Sequence, residues 1–424
     1  MTHAWRALPL LLALPPLLAA APARAAWTLQ ANGTAQKAGY FQISAADATH
    51  AMAVGTHDDG QGNQSGVVAV TTDGASWQQT RPATGMLAFY TAVHMVTAQK
   101  AFVGMIGKML VTQDGGGSWT PYTEADWGPL KGPTITGIGF AGPGTGYLVG
   151  SGGTIRKTTD GGTTWTPLTG PTGIDWSGLF VLDFEHLWLW AGSSITDEQT
   201  GEITGYEDGA LAVSTDGGKT FTTLFQGEAR SIGRVFMINS DEGYMVSNAM
   251  AGPKLEHTTD GGKTWTAQPL PLGAAGGVPD TVFDVFFFDL CEGFLLQEIS
   301  ENTQLMYTTD KGATWTQIPK DPFKVQIPLP IAVYARLATF DFPSREVGFA
   351  GGFFETLAGY SADGAGPNCG AGNPDGGHST GDGGSDGDGG DGGCGCRATG
   401  AAGASGLALL AALLALGLSY RRRR

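Results

Sequence analysis

Cysteine is scarce in this chain of 424 residues: there are 4, and three of them (Cys369, Cys394 and Cys396) lie near the C-terminal end. A disulfide framework therefore cannot be what organises the body of the chain. Histidine is also sparse, 7 residues with no HxxxH or HExxH pair, so no metal site is expected. Neither a Gly-x-Ser-x-Gly elbow nor a phosphate-binding loop occurs, and no cofactor is expected. Positive charge is short, 24 Lys+Arg against 39 Asp+Glu for a net charge of −15. Nucleic acid is excluded as a partner, because binding it requires many basic groups on the phosphates. Between residues 27 and 368 the imbalance is larger, 17 Lys+Arg against 34 Asp+Glu, or 17 − 34 = −17. Long apolar runs are confined to the two ends.

What the chain has in abundance is glycine, 68 residues, alongside 11 Trp and 20 Phe. High glycine with many aromatics suits short strands joined by tight turns. The turns repeat. Residues 158–165 read TTDGGTTW, 214–221 STDGGKTF, 258–265 TTDGGKTW, 308–315 TTDKGATW and 112–119 TQDGGGSW, while 71–77 (TTDGASW) is one residue short. The aspartates Asp73, Asp114, Asp160, Asp216, Asp260 and Asp310 are spaced 41, 46, 56, 44 and 50 residues apart. Each octet ends a unit with one grammar: an apolar strand, a turn, a strand of the Gly-aromatic-x-Val-Gly kind, then a third strand. Residues 135–140 (ITGIGF), 146–150 (GYLVG) and 154–157 (TIRK) show it plainly.

Seven units of four short strands predict an all-β, seven-bladed β-propeller over residues 26–366. The seventh unit stops at Ser361-Ala362-Asp363-Gly364, half an octet with no Trp after it. Residues 27–30 (WTLQ) match 265–268 (WTAQ), so the segment at Trp27 is expected to supply the missing outer strand and close the ring.

The octets are identified as Asp boxes, or BNR repeats. Within them Asp73, Trp77, Asp114, Trp119, Asp160, Trp165, Asp216, Phe221, Asp260, Trp265, Asp310, Trp315 and the half-box Asp363 read as structural positions. The Asp side chain would cap backbone N–H groups, glycine would take the left-handed turn, and the aromatic would fit between strands. Asp boxes recur in sialidases, xyloglucanases, sortilin-type receptors and the photosystem II stability and assembly factor family. By blade number and repeat length, residues 27–364 resemble the last. The sialidase resemblance implies three carboxylate-clamping arginines. The body has six (Arg81, Arg156, Arg230, Arg234, Arg336 and Arg345) and no Phe/Tyr-Arg-Ile-Pro motif. The assembly-factor resemblance implies an arginine-rich partner patch that this acidic body lacks.

The two ends read as addresses. Residues 1–25 carry Arg6, an apolar run and Ala23-Arg24-Ala25, the pattern of a cleaved secretory signal. Residues 367–393 are nearly all Gly, Asp and Ser, a disordered linker by composition. Residues 394–424 combine Cys394-Gly395-Cys396, an apolar stretch and four arginines, and resemble the myxobacterial C-terminal sorting signal. The apolar stretch is long enough for a transmembrane helix of about 22 residues. The resemblance implies processing near Cys394 and Cys396, their modification, and retention at the cell surface. Cys291, inside the sixth unit, is expected to be a buried thiol.

These observations point to a surface-anchored, monomeric binding or scaffold propeller without catalysis, recognising a protein or glycan at the channel. Arg230, Arg234 and Arg336, at or just before first strands, are the candidate contacts for an anionic ligand. One alternative is a glycoside hydrolase using channel carboxylates such as Asp183, Glu185, Asp284 or Asp289. The other is an assembly factor for an envelope membrane complex. The insertion at residues 193–209 reads as an acidic loop.

Overall fold

The computed structural model describes residues 26–31, 38–58, 64–82, 89–122, 133–197, 199–272, 279–300, 302–325, 333–353, 356–362 and 399–401. The expected signal (1–25) and linker (367–393), together with Asp363, Cys369, Cys394 and Cys396, lie outside them.

The described residues form seven antiparallel blades of four strands. Blade 1 consists of Ala38–Ala45, Ala51–Asp58, Gln64–Thr71 and Gln78–Thr80, and blade 2 of Tyr90–Met95, Ala101–Met105, Lys108–Thr112 and Thr120–Pro121. Blade 3 is Ile135–Phe140, Gly146–Gly150, Thr154–Thr158 and Thr166–Pro167; blade 4 is Trp176–Val181, Leu187–Thr196, Ile203–Ser214 and Thr222–Glu228. Blades 5 and 6 follow, with strands Ser231–Met237, Gly243–Asn248, Lys254–Thr258 and Thr266–Gln268, then Thr281–Phe287, Gly293–Ile299, Asn302–Thr308 and Thr316–Gln317. Blade 7 takes Arg336–Asp341, Val347–Phe353 and Leu357–Ser361, and its outer strand is Ala26–Ala31. The first strand of each blade contacts the first strand of the next, and blade 7 contacts blade 1, so the ring is closed.

Closure follows the sequence expectation. Ala26–Ala31 pairs antiparallel with Leu357–Ser361, bringing Trp27 opposite Tyr360. Trp27 is buried among Phe294, Phe323, Phe342 and Tyr360, where a box aromatic sits in other blades.

Blades stack face to face, so their first two strands are covered on both sides. Ile135–Phe140 and Gly146–Gly150 are buried at every position, which is why they read as unbroken apolar runs rather than alternating ones. Outer strands such as Thr166–Pro167 are exposed. The repeated glycines and aromatics rivet neighbouring blades. Tyr147 of blade 3 donates its hydroxyl to Gly217 O in the box of blade 4 (3.0 Å). Trp188 of blade 4 donates its indole N–H to Gly261 O of blade 5 (2.9 Å), and Tyr244 of blade 5 donates to Lys311 O of blade 6 (2.8 Å). At the seam of blades 7 and 1, Gln30 donates to Gly74 O (2.7 Å). The second box glycine must be small as well as left-handed. At Gly162 (φ +86) a Cβ would come within 2.3 Å of the Phe102 ring of blade 2.

One expectation is corrected. Cys291 is buried but disulfide-bonded rather than a free thiol, and its partner lies outside the described residues. Thr399–Ala401, at the head of the apolar stretch, is extended and pairs antiparallel with residues 179–181 of blade 4. A first strand leaves its inner backbone edge unpaired by its own blade, which gives such a segment a hydrogen-bonding template. The rest of the stretch lies outside the described residues. Among the described residues, no helix is long and apolar enough to cross a membrane.

Candidate functional site

The box aspartates are consumed by their own turns. Asp160 accepts from Thr158 Oγ1, Thr164 N–H and Thr164 Oγ1 at 2.7 to 2.9 Å, and Asp216, Asp260 and Asp310 repeat the pattern. Asp114 does the same with Thr112 and Ser118, and the shortened box holds Asp73 with Thr71, Ala75 and Ser76. Donation from Thr220 and Thr264 hydroxyls and N–H groups holds Asp216 and Asp260 down to about 2. The next box residue then ties the turn to the loop between the first two strands of its blade: Gly161 N–H donates to Gly144 O, and Gly217 N–H to Glu185 O. Among the box aromatics, Trp165 stands edge-on to Phe102 and Phe140, Trp315 edge-on to Phe287, and Trp77 and Trp119 donate their N–H to Gln30 and Gly116 O. Phe221 packs with the core of blades 3 and 4, and Trp265 with that of blades 4 to 7.

Three of the carboxylates expected to face the channel do not act there. Asp183, Glu185 and Asp289 sit in the loops after first strands. Asp183 accepts the N–H groups of Glu185 and His186, and Asp289 those of Cys291 and Glu292. Asp289 and Glu292 also bind Arg345. Their short loops need such caps, since a tight turn leaves its N–H groups without backbone partners.

Asp284 does lie on a first strand and is fully buried. It accepts from Thr339 Oγ1 (3.2 Å) and Phe340 N–H (3.3 Å) of blade 7 and lies 3.5 Å from Arg234 Nε of blade 5. Asp341 of blade 7 accepts Ala45 N–H of blade 1 at 2.8 Å. Burial raises both carboxyls, Asp341 to about 6, with Arg234 opposing the rise. Sequence reasoning missed Asp341. Its place at the end of a first strand was the available signal.

These bonds belong to a continuous belt. Gln42 of blade 1 donates to Thr91 O, Thr91 donates to Ile135 O, and Thr136 donates to Trp176 O. Ser231 of blade 5 donates to Gly192 O of blade 4, and Asn248 of blade 5 exchanges two bonds with the Val282 backbone of blade 6. Each of the seven seams is thus stitched by a side chain to its neighbour's backbone. The stitches named are neutral from blade 1 round to blade 6, and carboxylates serve at the seams of blades 6 and 7 and of blades 7 and 1.

The candidate arginines each meet carboxylates at a different seam. Arg230 binds Glu228 (2.8 Å) and Glu256 (2.7 Å), and Arg336 binds Glu298 (2.7 Å). Arg234 is 2% exposed and faces Asp284, with Nε and Nη1 lacking hydrogen-bond partners among the described residues. Among the channel-face residues predicted, Arg234 and Asp284 are brought together.

A second ring was invisible in the sequence. Every first strand carries a β-bulge at the same height, and the unpaired extra residues are Phe41, Thr91, Thr136, Ser177, Gly233, Phe283 and Ala338. Bulges re-aim side chains at the edges of sheets, and here that edge borders the channel. In blades 2 to 4 the residues are hydroxylic, and each donates to a backbone carbonyl. In blades 5 to 7 and 1 they are Gly, Phe, Ala and Phe. The ring is therefore polar and satisfied on one side, apolar on the other. The last glycine of the Gly-aromatic-x-Val-Gly strand faces the bulge. At Gly55 a Cβ would come within 1.7 Å of Gly39 O, and at Gly352 within 1.9 Å of Arg336 O.

The insertion read as an acidic loop is an ordered hairpin. Residues 193–196 pair with 203–207, and its turn is capped by Asp197, which accepts from Gln199 and Thr200 N–H. The candidate face thus combines this hairpin with an asymmetric channel.

No family model and no curated protein matches the chain. Solved structures do. A YCF48 structure with bound D1 peptide superposes with a TM-score of 0.57 at 18% identity, covering 81% of this chain and 99% of that one. YCF48 from Cyanidioschyzon merolae gives 0.55 at 17% identity, covering 79% and 98%. An ancestral GH74 enzyme gives 0.51 at 13% identity, covering 80% of this chain and 46% of the enzyme. At these identities the likeness is one of fold: an all-β, seven-bladed propeller.

Proposed function

We propose that this propeller is a non-catalytic binding module whose ligand is a polypeptide, taken at the channel. The observation that carries the reading is the division of the bulge ring. Its polar half is already bonded within the protein, while its apolar half presents half-buried Phe41 and Phe283. An apolar surface with few polar neighbours suits a side chain of a partner protein better than a hydroxyl-rich sugar. The peptide held by the YCF48 structure supports a polypeptide for a fold of this kind. The buried channel carboxylates stitch blades together, which weighs against a hydrolytic pair that must reach both substrate and water.

Delivery by the N-terminal signal and retention by the tail at Cys394 and Cys396 complete the proposal, on sequence grounds. An assembly role in the envelope would be one use of such a module. Peptide display and a glycan array, probed with the same soluble protein, test the reading. Peptide enrichment is expected, and glycan binding without peptide enrichment would overturn it. Retention is tested by a C394S/C396S double variant, expected in the medium rather than on cells.

A further inference from the structure

The channel of this propeller already holds a strand. Each first strand pairs within its own blade on one side only, so its other backbone edge, with alternate N–H and C=O groups, faces the channel. At six of the seven blades no strand is added to that edge among the described residues. At blade 4, Thr399–Ala401 joins Trp176–Val181 as a fifth, antiparallel strand, with Val181 opposite Thr399, Phe180 opposite Gly400 and Leu179 opposite Ala401. The added strand also lies against the first strands of blades 1, 2 and 3. It therefore runs inside the ring. Its neighbours there include the bulge residues of blades 2 to 4, whose hydroxyls are spent on backbone carbonyls, so backbone pairing is the bonding that this side still offers.

The sequence suits the place. Residues 398–406 read ATGAAGASG, with nothing larger than threonine, and paired strands lie only about 4.8 Å apart. The segment is also tethered, since it follows blade 7 in the same chain. A tethered segment acts at an effective concentration of order millimolar, so three paired residues can hold an edge that a free tripeptide would not. We propose that the inner edge of Trp176–Val181 is the docking edge of the channel for an extended polypeptide, and that residues 399–401 are its resident occupant. A partner adds its own backbone to Leu179, Phe180 and Val181 and displaces the tail. Strand addition of this kind takes affinity from main-chain hydrogen bonds and leaves selectivity to the side chains. The inference rests on the polypeptide-binding reading above and adds where the backbone is taken and what must leave first.

Opposed residues in an antiparallel pair alternate between bonded and non-bonded, so prolines at two successive positions remove a donor whichever pair is bonded. Full-chain wild type and G400P/A401P are compared by hydrogen exchange and mass spectrometry on fragments covering residues 176–181. Amides there are expected to exchange about tenfold faster in the variant, as for the loss of one hydrogen bond. The first strands Ser231–Met237 and Thr281–Phe287 should exchange alike in both proteins. Equal exchange at 176–181 would overturn the tail strand. A display-selected peptide should bind the variant about tenfold tighter than wild type, because no occupant has to leave. It should also restore slow exchange at 176–181. Equal affinity for both proteins, with 176–181 still fast in the bound variant, would overturn the docking edge while leaving polypeptide recognition intact. Faster exchange in the variant with no peptide bound by either protein would instead overturn polypeptide recognition and leave the tail strand standing.

Discussion

Ring closure can be tested at one side chain. Trp27 is 2% exposed, and its ring lies 5.2 to 6.1 Å from Tyr360, Phe342, Phe294 and Phe323. Burying an indole of roughly 200 Å² at about 25 cal/mol per Å² contributes roughly 5 kcal/mol. Truncation to alanine keeps a little of that and opens a cavity, so W27A should lose about 3–5 kcal/mol. Among the described residues Trp27 Nε1 has no hydrogen-bond partner, so none is lost there. W27F retains most ring contacts, so its loss should stay within about 1.5 kcal/mol. Trp265 occupies the corresponding box position in blade 5, whose neighbours are joined to it through the chain. W265A should therefore lower stability without unlinking blades. In urea unfolding followed by tryptophan fluorescence and circular dichroism, W27A should show a lower midpoint. Its two probes should also separate, because blade 7 can leave blade 1 before the rest melts. Limited proteolysis should cut W27A first near residues 26–31 or 357–361. A W27A midpoint equal to wild type with an unchanged digestion pattern would refute closure by this strand.

Three further expectations follow from the seams. Y147F removes the hydroxyl that donates to Gly217 O, so it should lower the stability read from urea unfolding by about 1 kcal/mol. G352A should prevent accumulation of soluble protein, because its Cβ would overlap the Arg336 carbonyl; normal yield and thermal unfolding would show the bulge to be dispensable. Asp341 has a carboxyl raised by burial to about 6, so what folding gains from its neutral form is present below about pH 4 and is lost as pH rises through about 6. D341N removes this titration, so between pH 4 and pH 8 its stability relative to wild type should shift in the variant's favour by about 1–3 kcal/mol on thermal unfolding. The box carboxyls, held low, act in the opposite sense. Their contribution is present above about pH 4 and is lost as pH falls toward about 2.

The architecture was legible because its determinants are local and repeated. A box spends its Asp, Gly and hydroxyl within a few residues, so spacing alone displays it seven times, including the half copy completed by Trp27. The channel is the opposite case. Its belt joins residues far apart in sequence, such as Ala45 to Asp341 and Asp284 to Phe340. Arg234 and Asp284 were each noticed singly, but only three-dimensional placement makes them a pair. Asp183 and Asp289 were misread as channel groups because a first strand and the loop after it look alike when only proximity to an apolar run is used.

This difference says where a propeller of this kind keeps its specificity. Positions spent on a seam, such as the Tyr147, Trp188 and Tyr244 donors, are constrained by the neighbouring blade and cannot vary to fit a ligand. The bulge position is different. The backbone holds one extra residue at the same height in each blade, whatever its side chain, so Phe41, Thr91, Thr136, Ser177, Gly233, Phe283 and Ala338 are all tolerated. The bulge hydroxyls of Thr91 and Thr136 are spent on seams, but where the bulge residue is Phe41 or Phe283 the repeated position can distinguish one side of the channel from the other without disturbing closure. Exchanging Phe283 with a hydroxyl residue should therefore alter binding and leave the unfolding midpoint nearly unchanged. Exchanging Asp284, one residue further along the same strand, should lower the midpoint first. If F283T destabilised as much as D284A in the same urea titration, the bulge ring would be part of the framework, and the ligand would have to be sought on the blade 4 hairpin.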